Sequence, residues 1–441
     1  MAANPLLESA VEAVELEAFS KDIPSLIPQG STAYSLFKNR ATTIPVSNVT
    51  QAGGTSRPSF RVPFRPQAGA AIQQGTGDAS SLLRGTGSAW DSFALSPIFL
   101  FNVCEISYLA QSATSGKARG LFNVQAQELK NSLDQATQGI EALINGDGSG
   151  AIDQIPTGAV VTLSGGSGNQ VASIVGMNVA FRFTDQQTVS VFPSEGGASR
   201  GTATISTVDP VSNTLYFSTV LPAGTTNGDF LMVQGSSGAV ASSILGIQYW
   251  QVNSNTGTVA GINRTKWPGR LTTPTINLNG GPITPGLAQR AQVLLGRAIG
   301  PDAQAIKSAV WYGPPEQAAA ISSLYYNVQI TQNIEKGSSV PDVSRKFFSE
   351  TFGGRDYHVS WTANPNRVDL LLFDTWYMGE MIPLELYDFG GGMTVVPVPD
   401  VGTTNGTYLT SHMFAYNCAF QLANSAPKLG LYVQNAAVPT V

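Results

Sequence analysis

One long amphipathic stretch constrains this chain more than any other feature. Across residues 117–144, Phe122, Ala126, Leu129, Leu133, Ala136, Ile140 and Leu143 recur in steps of three and four. That spacing places all seven on one face of an α-helix, which at ~1.5 Å per residue is on the order of 40 Å long. Asn145-Gly146-Asp147-Gly148 ends it, because asparagine and glycine accept the backbone turn that closes a helix. A helix this long with a single apolar face needs an equally long surface to lie on, such as an extended sheet.

The rest of the chain supplies sheet. Phe414, Tyr416, Cys418, Phe420 and Leu422 alternate with Ala415, Asn417, Ala419 and Gln421, which is a period-two strand. Leu370-Leu371-Leu372-Phe373 is a short continuous apolar run, as in a strand covered on both faces. Residues 95–109 read as strand followed by turn, and 429–433 as a last strand. Helices are expected at 285–299 and 314–328, each opening on proline. The fold class is therefore α+β.

Residues 155–236 form a compositional island with no Lys, no His and two Arg, Arg182 and Arg200. Short β-prone runs at 159–163, 177–183, 202–208, 214–220 and 229–233 are separated by Gly- or Asn-containing turns, the spacing of a small all-β barrel or sandwich. Helical patterning on both sides makes this island an insertion into a larger mixed domain, which resumes at 244–250.

Two segments read as arms. Residues 5–19 form a short amphipathic helix, with Leu6, Leu7, Val11, Val14 and Phe19 at helical spacing and glutamates between them. Pro24 and Pro28 end it. Residues 51–87 are poor in core residues and rich in Gly, Pro, Arg and Gln. Within them Ser59-Phe60-Arg61-Val62-Pro63-Phe64-Arg65 reads as an edge strand or extended arm, because prolines are excluded from central sheet positions. Arginines and aromatics dominate buried subunit contacts, so Phe60, Arg61, Phe64, Arg65, Arg84 and Trp90 are the candidate subunit-interface residues.

Composition narrows the classes. The 441 residues carry 24 Lys+Arg against 29 Asp+Glu, a net charge of −5, so no global basic charge favours nucleic acid. The charged fraction of 12% is about half the ~25% of an ordinary soluble domain. A sparse surface charge points to a surface covered by further copies of the chain. No run approaches the ~20 apolar residues of a membrane span. Glu8, Glu12, Glu15 and Glu17 are at odds with a signal peptide. Cys104 and Cys418 make neither a disulfide framework nor a zinc site, and both are expected to be buried free thiols.

A search for chemistry finds no supportable active site, cofactor site or metal site. His358 and His412 have no metal-ligand partner at helical spacing. Gly197-Ala198-Ser199-Arg200-Gly201 matches the G-x-S-x-G pattern of a nucleophile elbow. That elbow needs a helix after it, whereas a strand is expected at 202–208, so a hairpin turn is the better reading. Asp147, Ser149 and Asp153 mimic the opening of a calcium loop, but its twelfth position is Gly158 rather than Glu.

The order of these parts resembles that of the major capsid proteins of tailed bacteriophages, with the Hong Kong phage-type shell fold. The resemblance rests on Tyr34-Ser35-Leu36-Phe37-Lys38 and Ile44-Pro45-Val46, then Gly75-Thr76-Gly77-Asp78 and Arg84-Gly85-Thr86-Gly87. It continues with the long helix and its stop, Thr204-Ile205-Ser206-Thr207-Val208-Asp209, Leu245-Gly246-Ile247, and Asn424-Ser425-Ala426-Pro427-Lys428-Leu429. It implies an N-terminal arm over 1–57, an extended loop over 58–93, and a peripheral domain over 94–154 with a spine helix at 117–144. An inserted β-barrel-like domain would follow over 155–236, an axial domain over 237–365, and return strands over 366–441.

The function it implies is structural, not enzymatic: hexamers and pentamers closing into an icosahedral shell around double-stranded DNA. The shell would assemble in the bacterial host cytoplasm. A separate scaffolding protein, a portal and a decoration protein are the implied partners, with packaged DNA held non-specifically and no membrane. Some relatives weld their shells through a lysine in the extended loop; residues 58–90 contain none, which implies noncovalent clamping or a separate cement protein. Deleting 60–88 is expected to leave a folded chain that no longer assembles. The rival readings are another virion component such as a tail tube, and an adhesin or carbohydrate binder built on the β island. A hydrolase with Ser199 as nucleophile comes last.

Overall fold

The computed structural model describes residues 33–50, 56–69, 87–107, 124–163, 172–235, 243–299, 308–324, 351–390, 392–399 and 408–438. The amphipathic segment at 5–19 and Arg84 lie outside them.

The long helix spans Val124–Ile144, 21 residues. The surface it lies on is a five-stranded sheet built around one 17-residue strand, Tyr408–Asn424. Ile98–Ser107 pairs antiparallel along one edge of that strand. Trp376–Leu386 and Val396–Pro399 follow each other along the opposite edge, and Thr42–Pro45 adds in parallel beyond Trp376–Leu386. Polar side chains fix helix to sheet. Asn102 donates to Ser132 O at 2.7 Å, and the Tyr416 hydroxyl donates to Leu129 O at 3.2 Å. The apolar core beneath joins Ile140, Leu143 and Ile144 of the helix to Phe420 and Leu422 of the sheet. Helix Ala33–Arg40 also enters this core through Phe37, whose ring meets those of Phe373 and Trp376 edge-on.

A six-stranded sheet forms a second layer, in the order Thr275–Asn277, Leu431–Gln434, Val368–Leu371, Val310–Gly313, Arg355–Val359 and Thr351–Phe352. Every residue of Val368–Leu371 is buried, as the continuous apolar run requires. Its two neighbours are antiparallel to it, so the double coverage comes from packing on both faces rather than from a parallel arrangement. Helix Pro285–Ile299 packs on one face through Leu287, Ala291 and Leu295. Val310, Tyr312 and Leu371 face the first core. Residues 315–324 are also helical.

A seven-stranded sheet is made wholly of strands between Ala151–Gln154 and Phe230–Val233. The chain leaves and re-enters the body at adjacent points, with Ser243 N donating to Gly148 O at 3.2 Å. Here Gly246 passes so close to the helix end that a Cβ would lie 2.6 Å from Gly146 O and 2.7 Å from Leu143 O. Residues 177–183 do not form the expected strand. Met177 N and Ala180 N are taken by Asn213, and Ala180–Arg182 closes as a 3-10 turn. That turn sends Arg182 inward, where Nη1 meets Asp153 Oδ1 at 3.2 Å and Nε donates to Thr362 O at 2.7 Å. A strand at Thr188–Phe192 takes a central place in the sheet. Gly197–Gly201 joins it to Gly201–Asp209 as a hairpin turn, and Ser199 Oγ bonds backbone groups of Val191 and Gly201.

Candidate assembly surface

Ser56–Gln67 and Ala89–Leu95 form a hairpin with Ser47–Thr50 as a third strand. The prolines were expected to keep Ser56–Gln67 at a sheet edge, yet it is the middle strand. Its two partners use different stretches of it: Ser47–Thr50 pairs with residues 56–59 and Ala89–Leu95 with 60–67. Each proline therefore has a free edge to which its missing N–H can point.

Side chains alternate along this strand. Phe60, Val62 and Phe64 turn inward, while Arg61, Pro63 and Arg65 are exposed. Phe60 is 2% exposed and Phe64 7%. Phe64 stacks on Phe93 with ring centroids 4.5 Å apart, and Phe93 meets Trp250 edge-on at 5.1 Å. Phe60 packs so closely on Gly379 that a Cβ there would enter its ring. Phe60 and Phe64 thus belong to this chain's own core, which corrects their reading as surface contacts. A deletion from residue 60 would remove that core, so a test of the hairpin's reach must spare residues 56–67.

What remains on the outer face is Arg61, Arg65 and Trp90. Trp90 is 67% exposed, and the Arg65 guanidinium lies 5.8 Å from its ring centroid, within cation–π range. Towards the connection between its two strands the hairpin is tied down by Asp91, which stands opposite Phe64 and whose Oδ2 accepts from Lys266 Nζ at 2.7 Å and Trp267 Nε1 at 3.0 Å. These donors, Lys266 first, hold the Asp91 carboxyl below the usual carboxylate range.

A second exposed surface lies on the central sheet, on the face turned away from the long helix. Phe99, Phe101 and Val103 are 46%, 57% and 59% exposed. They stand opposite Ala419, Asn417 and Ala415 of the long strand. The Phe101 ring lies 5.8 Å from Tyr387, which meets Phe389 at 5.0 Å. Glu105 and Glu385 are exposed on the same face by register, opposite Met413 and Asn417. The surface is thus an aromatic strip flanked by carboxylates, whereas the hairpin presents arginines beside an exposed indole.

The thiols take no part in either surface. Cys418 is buried and Cys104 half-buried, and burial pushes both up to about 12. Among the described residues no group of three or more His, Cys, Asp or Glu side chains is placed to hold a metal ion, and no helix is long and apolar enough to cross a membrane.

No protein-family profile and no curated protein matches the sequence. Solved structures do match. The capsid asymmetric unit of cyanophage A-1(L) aligns over 96% of this chain and 97% of that one, with a TM-score of 0.54 and 11% identity. This chain has the phage capsid fold. Weaker likenesses are to the capsid of the native GTA particle (TM-score 0.44, 11% identity, 96% and 98% covered) and to the holo-SrpI encapsulin complex from Synechococcus elongatus (0.43, 10%, 98% and 96%). The fold assignment rests on the first.

Within this capsid fold, three of the six residues chosen from sequence share one outer face: Arg61, Arg65 and Trp90. Phe99, Phe101, Tyr387 and Phe389 were missed. The run Ile98-Phe99-Leu100-Phe101 looks like any buried strand, because apolar residues on both faces do not reveal whether the second face is covered by the same chain.

Proposed function

We propose that this chain is the major capsid protein of a tailed bacteriophage, closing as hexamers and pentamers into an icosahedral shell around double-stranded DNA. The observation that carries this reading is the pair of unmatched surfaces on a shell-protein fold: an Arg–Trp hairpin face and an acidic aromatic sheet face. The two are complementary in charge and in chemistry. The hairpin of one subunit lies over the sheet face of its neighbour, stacking Trp90 on Phe99 and Phe101 and pairing Arg61 and Arg65 with Glu105 and Glu385.

Each such contact needs to contribute only a few kcal/mol, since a closed shell multiplies weak contacts through effective concentration. Residues 58–90 contain no lysine, in keeping with a noncovalent clamp. A scaffolding protein, a portal, a decoration protein and the packaged DNA are the partners this role entails, with assembly in the host cytoplasm.

Charge reversal tests the clamp. Arg61→Glu with Arg65→Glu leaves a folded subunit, because both side chains are exposed, and abolishes particles in sedimentation. Adding Glu105→Lys and Glu385→Lys restores them. Normal particles from the double arginine variant would sink the proposed contact.

A further inference from the structure

We propose that the side of the subunit formed by helix Pro285–Ile299 and the turn Pro427–Leu429 binds the phosphodiester backbone of duplex DNA, through Arg270, Arg290, Arg297 and Lys428. This rests on the shell reading above, and it names the surface that meets the packaged DNA.

Three observations converge on this surface. The first is how charge is distributed along the chain. Residues 230–301 hold five Lys or Arg and no Asp or Glu, and residues 401–441 hold Lys428 and no Asp or Glu. The net charge of −5 over the whole chain conceals both carboxylate-free stretches.

The second is that the fold brings the two stretches together. Thr275–Asn277 pairs in parallel with Leu431–Gln434. Thr273 Oγ1 donates to Pro427 O at 2.9 Å, and the turn Pro427–Leu429 packs against the helix, with Leu429 on the same core as Leu287 and Leu295. Burying Leu287, Ala291 and Leu295 leaves the opposite helix face in solvent, and that face carries Arg290 and Arg297. Seven residues are close to two helical turns, so both arginines stem from one face, ~10 Å apart along the axis.

The third is that these cations are uncommitted. Arg264 is buried, where its Nη1 donates to Leu271 O, and Lys266 is paired with Asp91. In contrast, Arg270, Arg290 and Arg297 are exposed and Lys428 is half-buried. Among the described residues none of these four forms an ion pair.

The surroundings favour DNA over a neighbouring subunit. Subunit contacts are rich in aromatics and poor in lysine, whereas DNA contacts are polar and strongly positive. Among the described residues of the two stretches no aromatic side chain is exposed, and Gln289 and Gln292 flank the arginines as exposed amides. The hairpin and sheet faces, with Trp90, Phe99 and Phe101 exposed, have the reverse character. Contacts to phosphate carry no sequence information, which suits DNA held non-specifically.

The test uses the dilute, unassembled full-length chain and two short duplexes of unrelated sequence. Equal affinity for both is expected. Four phosphate contacts predict a slope of log affinity against log salt of about −3.6, a loss of about 150-fold between roughly 50 and 200 mM salt. Arg290→Gln with Arg297→Gln halves that slope, leaving a loss of about 12-fold, and Arg270→Gln with Lys428→Gln does the same. Arg61→Gln with Arg65→Gln, on the hairpin, leaves the slope as in the native chain. Circular dichroism confirms that each variant is folded; if one pair unfolds, the other decides.

No DNA binding by the native chain, a strong preference for one duplex, or an unchanged slope in a folded variant of this surface would each overturn the proposal. So would loss of shells with DNA binding intact, which would assign the surface to a neighbouring subunit. Slopes that fall as predicted in a chain that never forms shells would support the DNA surface and sink the shell reading instead.

Discussion

Asp91 ties the hairpin to the body. Its carboxylate joins a strand of the hairpin to Lys266 and Trp267 of a separate turn. Its folded value is depressed, so its contribution is present above the unfolded value of about 3.9 and is lost as pH falls through the lower, folded one. The pair is solvent-facing, which limits it to about 1 kcal/mol or less. Asp91→Asn is expected to lower the thermal midpoint at pH 7, with the gap to the native protein closing as the pH drops below about 4. An equal gap at both pH values would show that the charge is not what matters.

Single residues also mark where the sequence was legible. The alternation of Phe60, Val62 and Phe64 with Arg61, Pro63 and Arg65 is visible in the text, but prolines masked it as an arm. Only the divided pairing of the strand shows how proline and burial coexist. Nor does the sequence reveal that Asn145, expected only to stop the helix, is buried. It donates to Thr362 Oγ1 at 2.8 Å and accepts from the Tyr312 hydroxyl at 2.8 Å, fastening the helix end to the six-stranded sheet.

Elements with a strong single period were readable. The helix at Pro285–Ile299 has the bounds its periodicity gave. The helix at Val124–Ile144 lies within the 117–144 read from sequence, of which 117–123 fall outside the described residues, and the strand Tyr408–Asn424 extends the alternation read over 414–422 at both ends. Where the period was local or the partner distant, reading failed. Residues 177–183 look like a strand until Asn213 captures their backbone, and Thr188–Phe192 hides behind its polar flank of Thr184, Asp185, Gln186 and Gln187.

The seven-stranded unit has its own core, with Ile174, Phe183, Val191, Ile205 and Leu231 among its members. Its two crossings to the body lie side by side. Excising 151–242 and joining Gly150 to Ser243 should therefore retain the helical circular dichroism of the body. It should cost stability, because Thr362 O loses Arg182 and Ala142 loses its place in that core. Complete loss of helical signal on excision would mean that the unit is required for the body to fold.

At the scale of the molecule, the proposed assembly accounts for both the sparse charge and the exposed aromatics. A 12% charged fraction leaves a lone subunit with a poorly solvated surface, and the sheet face around Phe99, Phe101 and Val103 adds an exposed apolar strip. Both make sense for a subunit whose faces are covered by its own copies. In the proposed clamp the capsid fold provides the geometry, the hairpin and sheet face would meet as complementary surfaces, and the layered cores keep those surfaces fixed.

Electron microscopy of the purified chain at high concentration tests this account most directly. Closed shells of uniform diameter, or shell fragments with a hexameric lattice, are the predicted result. Open tubes, or a chain that stays monomeric with Trp90 and Phe101 exposed, would contradict it.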